Sequence, residues 1–281
     1  MEIKCTIYNQ NGTIKFGKND YEEKNFLLTE TAVDFVYLSS QQINFNEGDY
    51  FEIEISERHQ YLVVQLDPSL APSLVYIPDK KWRYDLRLGK NWREATHESV
   101  FNVKRTYSFI RIAKEYEVNQ YQNLSMNTHD LNHFAGAYPH ASANVETRND
   151  ATFFAMNAID GVYANNSHGS FPYQSWGVNQ QDDAELKIDF GRTVFVNEVE
   201  LTLRADFPHD NYWTQGVLVF SDGTEKELSL TKTNEIQLFN IDSVKTKWVV
   251  LKCLLKDPAL PSPFPALTQI SVYGKNCLNF E

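Results

Sequence analysis

Short runs of alternating apolar and polar residues, mixed with brief apolar blocks, recur along the whole chain. Tyr50–Ile55 (YFEIEI) alternates apolar with mostly acidic positions, as a strand with one buried face does. Residues 61–66 form an apolar run stopped by Asp67-Pro68, and 74–77 a second one stopped by Pro78-Asp79. Residues 107–112 suit a late strand of a sandwich, and Gly48-Asp49 and Leu88-Gly89 supply turn signals. The second half repeats the style. Residues 184–190 alternate strictly, and 196–203 place Val196, Val199, Leu201 and Leu203 for burial. Residues 216–220 end at Ser221-Asp222-Gly223-Thr224, a hairpin turn, from which 225–230 return. Residues 236–239, 248–251 and 270–273 complete the series.

Helical periodicity is confined to one short stretch, 151–157, where Phe153, Phe154 and Met156 would pack inward. The expected class is therefore all-β, with two tandem antiparallel β-sandwich (jelly-roll) domains. Residues 115–138, rich in Asn, Gln and Tyr, separate the halves. This places the boundary near residue 130, with domains 1–130 and 131–281. Residues 50–66 and 184–203 share a pattern of alternating strand, turn and apolar strand, which suggests an internal duplication.

Composition sharpens this picture. The chain has 281 residues, enough for two ordinary domains. Its 18 Phe, 15 Tyr and 5 Trp favour strands, and their ring faces also suit the apolar face of a pyranose. A net charge of −11 without a block of Lys or Arg argues against nucleic-acid and membrane partners. Cys5, Cys253 and Cys277 have neither metal-ligand spacing nor a disulfide framework. No basic-then-apolar leader opens the sequence, so a cytoplasmic protein is the simplest expectation, with a secreted mature form left open.

Several motifs follow one another in a set order. They are Ala141-Ser142-Ala143, Asn157-Ala158-Ile159-Asp160-Gly161, Ser175-Trp176-Gly177, the 186–191 strand ending in Gly191, Phe220-Ser221-Asp222-Gly223, and Ile270-Ser271-Val272-Tyr273-Gly274. The set resembles the discoidin, or coagulation-factor C-type, branch of the galactose-binding-like fold, which includes many bacterial carbohydrate-binding modules. The resemblance implies a jelly roll that holds a carbohydrate, or another small polyol, in loops at one end. It also implies a structural calcium ion in the loop at Asp160, held by backbone carbonyls, the Asp160 carboxylate and an acidic residue on the last strand. Gln269 stands at that last position and offers no charge, which weakens the expected site. No other cofactor is expected. The N-terminal half carries no such signature, and its role is unassigned.

The resemblance puts the loop at 204–213 at the binding end. It holds Arg204, Asp206, His209 and Asp210 beside Phe207, Tyr212 and Trp213. Guanidinium and carboxylate groups can bridge adjacent hydroxyls, while an aromatic face excludes water. Arg204, His209, Asp206 and Asp210 are the candidate polar contacts, with Trp213 as support or contact. The 165–176 loop adds His168 and Tyr173, and Trp176 either touches ligand or plugs the core beneath. Arg148 and Phe264, from two further loops, complete the candidate set.

His129 and His133 have the i, i+4 spacing of a helical zinc pair, but Asn127, Asp130, Asn132, Gly136 and Pro139 break any helix there. A linker is the better reading. No nucleophile elbow, phosphate loop or dinucleotide fingerprint is present. Non-catalytic carbohydrate binding is the favoured function. A glycoside hydrolase-like enzyme using Asp206, Asp210 and His209, and a protein-interaction or homo-oligomeric assembly module, stand as alternatives.

Overall fold

In the computed structural model the residues described are 1–21, 24–204 and 210–277. The chain divides into two compact units, one of Met1–Lys114 with Phe134–Ala137, the other of Glu115–His133 with Tyr138–Glu281. Both are antiparallel and rich in strand, as the alternating pattern requires. The division falls at Lys114/Glu115 rather than near residue 130. The polar 115–138 stretch is largely structured within the second unit: Glu115–Asn119 is a short helix, and Gln122–Asn123 pairs with Tyr273 and Gly274 of the last strand.

The first unit has two four-stranded sheets. One runs in the order Thr29–Val33, Glu2–Tyr8, Tyr50–Ile55, Lys81–Asp85. The other runs Phe35–Ser40, Thr106–Ile112, Gln60–Gln65, Ser73–Ile77. Alternate positions of these strands form the core, with Ile3, Cys5, Ile7, Phe51, Ile53 and Ile55 from the first sheet and Val36, Leu38, Leu62, Val64, Val75 and Ile110 from the second. The proposed duplication does not hold. Tyr50–Ile55 and Gln60–Gln65 lie in different sheets, whereas the matching 184–203 segment contains one continuous strand, Leu186–Leu203. Alternation of polarity is a property of half-buried strands in general, so it carried no homology here.

That strand and Gln237–Lys256, 18 and 20 residues long, organise the second unit. Each reads in sequence as two separate strands, because bulges interrupt the pattern. Leu186, Ile188, Phe190, Val194 and Val196 are buried; past the irregularity at Val196/Glu198 the buried set becomes Val199, Leu201 and Leu203. One extra residue in a bulge flips the alternation, which keeps the apolar side on the core as the strand bends. At Gly191 (φ +63°) the ladder is broken, and a Cβ would stand 2.1 Å from the Tyr138 ring. Trp213–Phe220 and Glu225–Ser229 form the expected hairpin, closed by Gly223 N–H donating to the Phe220 carbonyl at 2.9 Å.

The helix expected at 151–157 is two 3-10 turns, Ala151–Phe153 and Ala155–Ile159, separated by extended Phe154. Asp150 caps the first by accepting from the Thr152 N–H at 3.1 Å. Trp176 and Trp213 lie fully inside the core with ring centroids 6.2 Å apart, and the Trp176 indole donates to the Val145 carbonyl at 3.0 Å. Trp176→Phe should therefore cost about 2 kcal/mol in denaturant unfolding, since it strands a buried carbonyl and leaves a void. An unchanged midpoint would show that the indole N–H contributes nothing. Among the described residues, no helix is long and apolar enough to cross a membrane, and all three cysteines are free thiols.

Candidate functional site

Several segments of the second unit close around a hollow of about 200 Å³. Its described lining comes from Thr147, Arg148 and Phe153, from His168, from the 177–180 turn, from Arg204, and from Phe264 and Pro265. The sequence therefore identified Arg148, His168, Arg204 and Phe264 as residues that come together.

Each is positioned by identifiable contacts. Arg204 ends the Leu186–Leu203 strand, and its N–H donates to the Ala266 carbonyl at 3.0 Å. Its guanidinium is buried and donates through Nη2 to the Phe264 carbonyl, which ties the two residues together. Burial pulls that guanidinium down to about 10, opposed by the nearby Asp210 carboxylate, so it stays cationic at neutral pH. Phe264 itself keeps 46% of its surface exposed at the rim. Its loop is pinned by Asn211, whose Nδ2 donates to the carbonyls of Asp257 (3.2 Å) and Ser262 (2.7 Å). The His168 loop is anchored by Asn165, whose Nδ2 donates to the Leu203 and Asn234 carbonyls, both at 2.8 Å.

Backbone strain marks the same place. Arg148 (φ 56°), Asn149 (φ 51°), Asn179 (φ 47°) and Gln180 (φ 65°) all sit in the left-handed region, and three of these four line the hollow. Non-glycine residues in that region cost roughly 1 kcal/mol each and cluster where side chains must be aimed. Asn179 N–H donates to Thr147 Oγ1 at 2.9 Å, joining the two strained turns. Gly177 makes the junction possible, since a Cβ there would lie 2.8 Å from Thr147 Oγ1 and 3.0 Å from the Phe153 ring. The Arg148 guanidinium lies 5.5 Å from the Phe153 ring centroid, with the Asp150 carboxylate 3.7 Å from its Nη2.

Other expected contacts are placed differently. Trp176 and Trp213 are buried in the core, where their large apolar surfaces are best satisfied, and are not among the described lining residues. Asp210 is buried behind Arg204 and is not among the described lining residues. Tyr173 is half-buried away from the lining, in a turn whose N–H donates to the Ser170 carbonyl. Asp206 and His209 lie outside the described residues. Sequence reasoning missed Thr147, Gly177, Val178, Asn179 and Gln180. The available signal was Gly-Val-Asn-Gln directly after the buried Trp176, a turn whose Asn tolerates the left-handed region.

The calcium implied at Asp160 does not fit these residues. Gln269 Nε2 donates to Asp160 Oδ1 and to the Asn157 carbonyl, both at 2.6 Å. Gln174 Nε2 donates to Asp160 Oδ2 at 2.7 Å, and the Val162 N–H donates to Oδ1 at 2.8 Å. A side-chain amide thus bridges the carboxylate and carbonyl oxygens that a cation would share. Burial pushes the Asp160 carboxyl up to about 7 despite these donors, and the last strand offers Gln269 there in place of a second carboxylate to hold a divalent ion. Among the described residues no group of three or more His, Cys, Asp or Glu converges as a metal site. Of the spaced histidines, His129 is buried, His133 is exposed beside Asn132, and His140 Nδ1 pairs with Asp130 at 2.8 Å.

No family model and no curated protein matches the chain. Solved structures do. Chitosan-binding module 1 of a chitosanase/glucanase from Paenibacillus sp. IK-5 is 19% identical, covering 54% of this chain and 98% of the module at a TM-score of 0.38. The family 32 CBM of NanJ from C. perfringens, solved with galactose, is 19% identical over 47% of this chain and 91% of its own, at 0.36. A Streptococcus pneumoniae fucose binding module is 13% identical over 55% and 98%, at 0.40. These three structures are carbohydrate-binding modules, each matching about half of this chain. At these TM-scores the account of the fold rests on the strand order given above.

Proposed function

We propose that the second unit is a carbohydrate-binding module that holds one sugar residue in the hollow between Arg148, His168, Arg204 and Phe264. The observation that carries this reading is the pairing of fixed polar donors with one exposed ring around a small cavity. Arg204 and His168 supply directional donors for vicinal hydroxyls. Phe264 supplies a face for the apolar side of a pyranose, and its backbone carbonyl is already tied to Arg204. The volume is below the ~300–1,000 Å³ of a drug-sized pocket, which suits a single or terminal sugar rather than a run of several. The strained turns at Arg148 and Asn179–Gln180 fit a preformed site that loses little entropy on binding. No chemistry is required by this reading, and a homo-oligomer is not needed to complete the hollow.

The test is a glycan array with the intact protein, followed by calorimetry on the hits. Saccharide binding is expected, and Phe264→Ala should weaken it by about five- to tenfold, the loss of one aromatic contact of ~1 kcal/mol. Phe264 is half exposed, so its removal should leave the unfolding midpoint unchanged. Binding that survives Phe264→Ala and Arg204→Lys at full strength would locate the ligand elsewhere. Absence of binding to every saccharide would end the reading.

A further inference from the structure

The two sheets of the first unit carry different outer faces. On the first sheet the outward residues are laced by ion pairs: Lys4 with Glu54 at 2.9 Å, Lys81 with Glu54 at 3.2 Å and Arg83 with Asp85 at 2.7 Å. That is an ordinary solvated surface. On the second sheet Val36, Leu38, Ser108 and Ile110 point inward, so Phe35, Tyr37, Tyr107 and Phe109 stand on the outer face. Phe35, Tyr37 and Tyr107 keep between 42 and 51% of their surface exposed. The centroids of Phe35–Tyr37, Phe35–Phe109, Tyr37–Tyr107 and Tyr107–Phe109 are each 6.1 Å apart, with 27–41° between planes. None of these contacts is edge-to-face, so the rings share a common tilt. Single exposed rings are ordinary, but four in mutual contact mark an interaction surface.

Polar groups are interleaved with the rings. Residues directly opposite in an antiparallel pair share a face, and here Phe35 is opposite Arg111, Tyr107 opposite Ser39, and Phe109 opposite Gln65. Arg111 Nη1 donates to the Ile112 carbonyl at 3.2 Å, and Gln65 Nε2 to the Leu70 carbonyl at 2.9 Å, which holds both side chains in place. Along the edge strand Phe35–Ser40 the patch runs into a groove of about 450 Å³. Phe35, Tyr37 and Ser39 line it, together with Asn19, Thr29 and Glu30. Ring faces suit the C–H faces of pyranoses, while amide, hydroxyl and carboxylate groups suit the hydroxyls at their rims. A lipid surface has no use for those polar groups, and residues such as Glu30 are depleted at the core of protein interfaces. The net charge of −11 disfavours an anionic chain.

We infer that this face of the first unit binds a neutral polysaccharide, with consecutive sugar residues laid over the four rings and their hydroxyls on the polar groups of the groove. Its residues are separate from those of the hollow in the second unit, and it stands whether or not that hollow holds a sugar. Tyrosine rings suit the task, since they offer a large contact area and lose little side-chain entropy when a ligand settles on them.

The experiment is affinity electrophoresis of the intact protein through gels containing hydroxyethylcellulose, arabinoxylan, galactomannan or soluble starch. Retardation by at least one of them is expected. Replacing both exposed tyrosines, Tyr37→Ala with Tyr107→Ala, should weaken it by about tenfold or more. An unfolding midpoint close to the parent's checks that the sandwich is intact. The same loss is expected in a Phe264→Ala background, where the hollow of the second unit is already impaired. Tyrosine-dependent retardation alongside a blank glycan array would support this site and end the reading of the second unit. Retardation lost with Phe264→Ala but untouched by the tyrosine changes would overturn the inference and leave the second unit's sugar site standing. Retardation by none of the four polysaccharides would overturn it as well. So would a dimer in sedimentation that the tyrosine changes split into monomers, since the face would then be a contact between copies of the chain.

Discussion

Gln269→Glu should destabilise the second unit by about 3–5 kcal/mol in a chelating buffer, the cost of leaving a buried charge without its partner. Calcium at millimolar concentration should restore part of that loss. The native amide donates to the Asp160 carboxylate and to the Asn157 carbonyl at 2.6 Å each, while its own Oε1 accepts from the Gly161 N–H at 3.2 Å. Replacing NH₂ by an oxygen turns both donations into repulsions. It also sets a second carboxylate against one that burial already holds up to about 7. Only a divalent cation, drawing on both carboxylates and the freed carbonyl, or protonation of one acid, relieves that cluster. The unmodified protein should show no shift in its unfolding midpoint between chelator and calcium, because its amide already fills the bridging position. A calcium-dependent midpoint in the unmodified protein would sink this account. So would a Gln269→Glu variant as stable in chelator as the parent.

Strands were legible wherever alternation was uninterrupted, as in Tyr50–Ile55, and the all-β class followed from them. The long strands were read as pairs because a bulge reverses the alternation without ending the ladder. Lys81–Asp85 (KWRYD) escaped notice since its buried residues, Trp82 and Tyr84, are only two among three charges. Arg204 and Phe264, which line the hollow, were singled out because charge and aromatic character in a loop have few structural uses. Trp176 and Trp213 could be either ligand contacts or core support in sequence, and their burial places them in the core. The 177–180 turn was invisible because its role lies in backbone dihedrals and in the absence of a Cβ at Gly177. Asp206 and His209 belong to the part of the 204–213 loop that is not described.

The largest pH effect should come from His129, on the segment that looked like a linker. Its ring is buried, with Nδ1 3.0 Å from Thr128 Oγ1, and the His129 backbone N–H donates to Asn127 Oδ1 at 3.0 Å. Asn127 in turn donates through Nδ2 to the Pro139 carbonyl at 2.9 Å, so the neutral imidazole sits within a closed polar cluster. Burial lowers its pKa from 6.5 to about 3, because the charged ring would lose its hydration. In the unfolded chain the same ring takes up a proton near pH 6.5. Between those two values the unfolded state binds more protons, so stability is complete above pH 6.5 and falls as the pH drops through the window. The slope is about 1.4 kcal/mol per pH unit. Asp130, whose carboxyl is pushed up by burial, acts in the opposite sense, since its penalty is relieved on protonation. Comparing the protein with His129→Gln separates the two, for only the first effect disappears. Denaturant unfolding at about pH 7.5 and about pH 4.5 should show the parent losing about 2–3 kcal/mol more than the variant over that interval. Equal losses would mean that His129 is protonated in the fold, and that the polar cluster at 127–140 opens to water well before the sandwich unfolds.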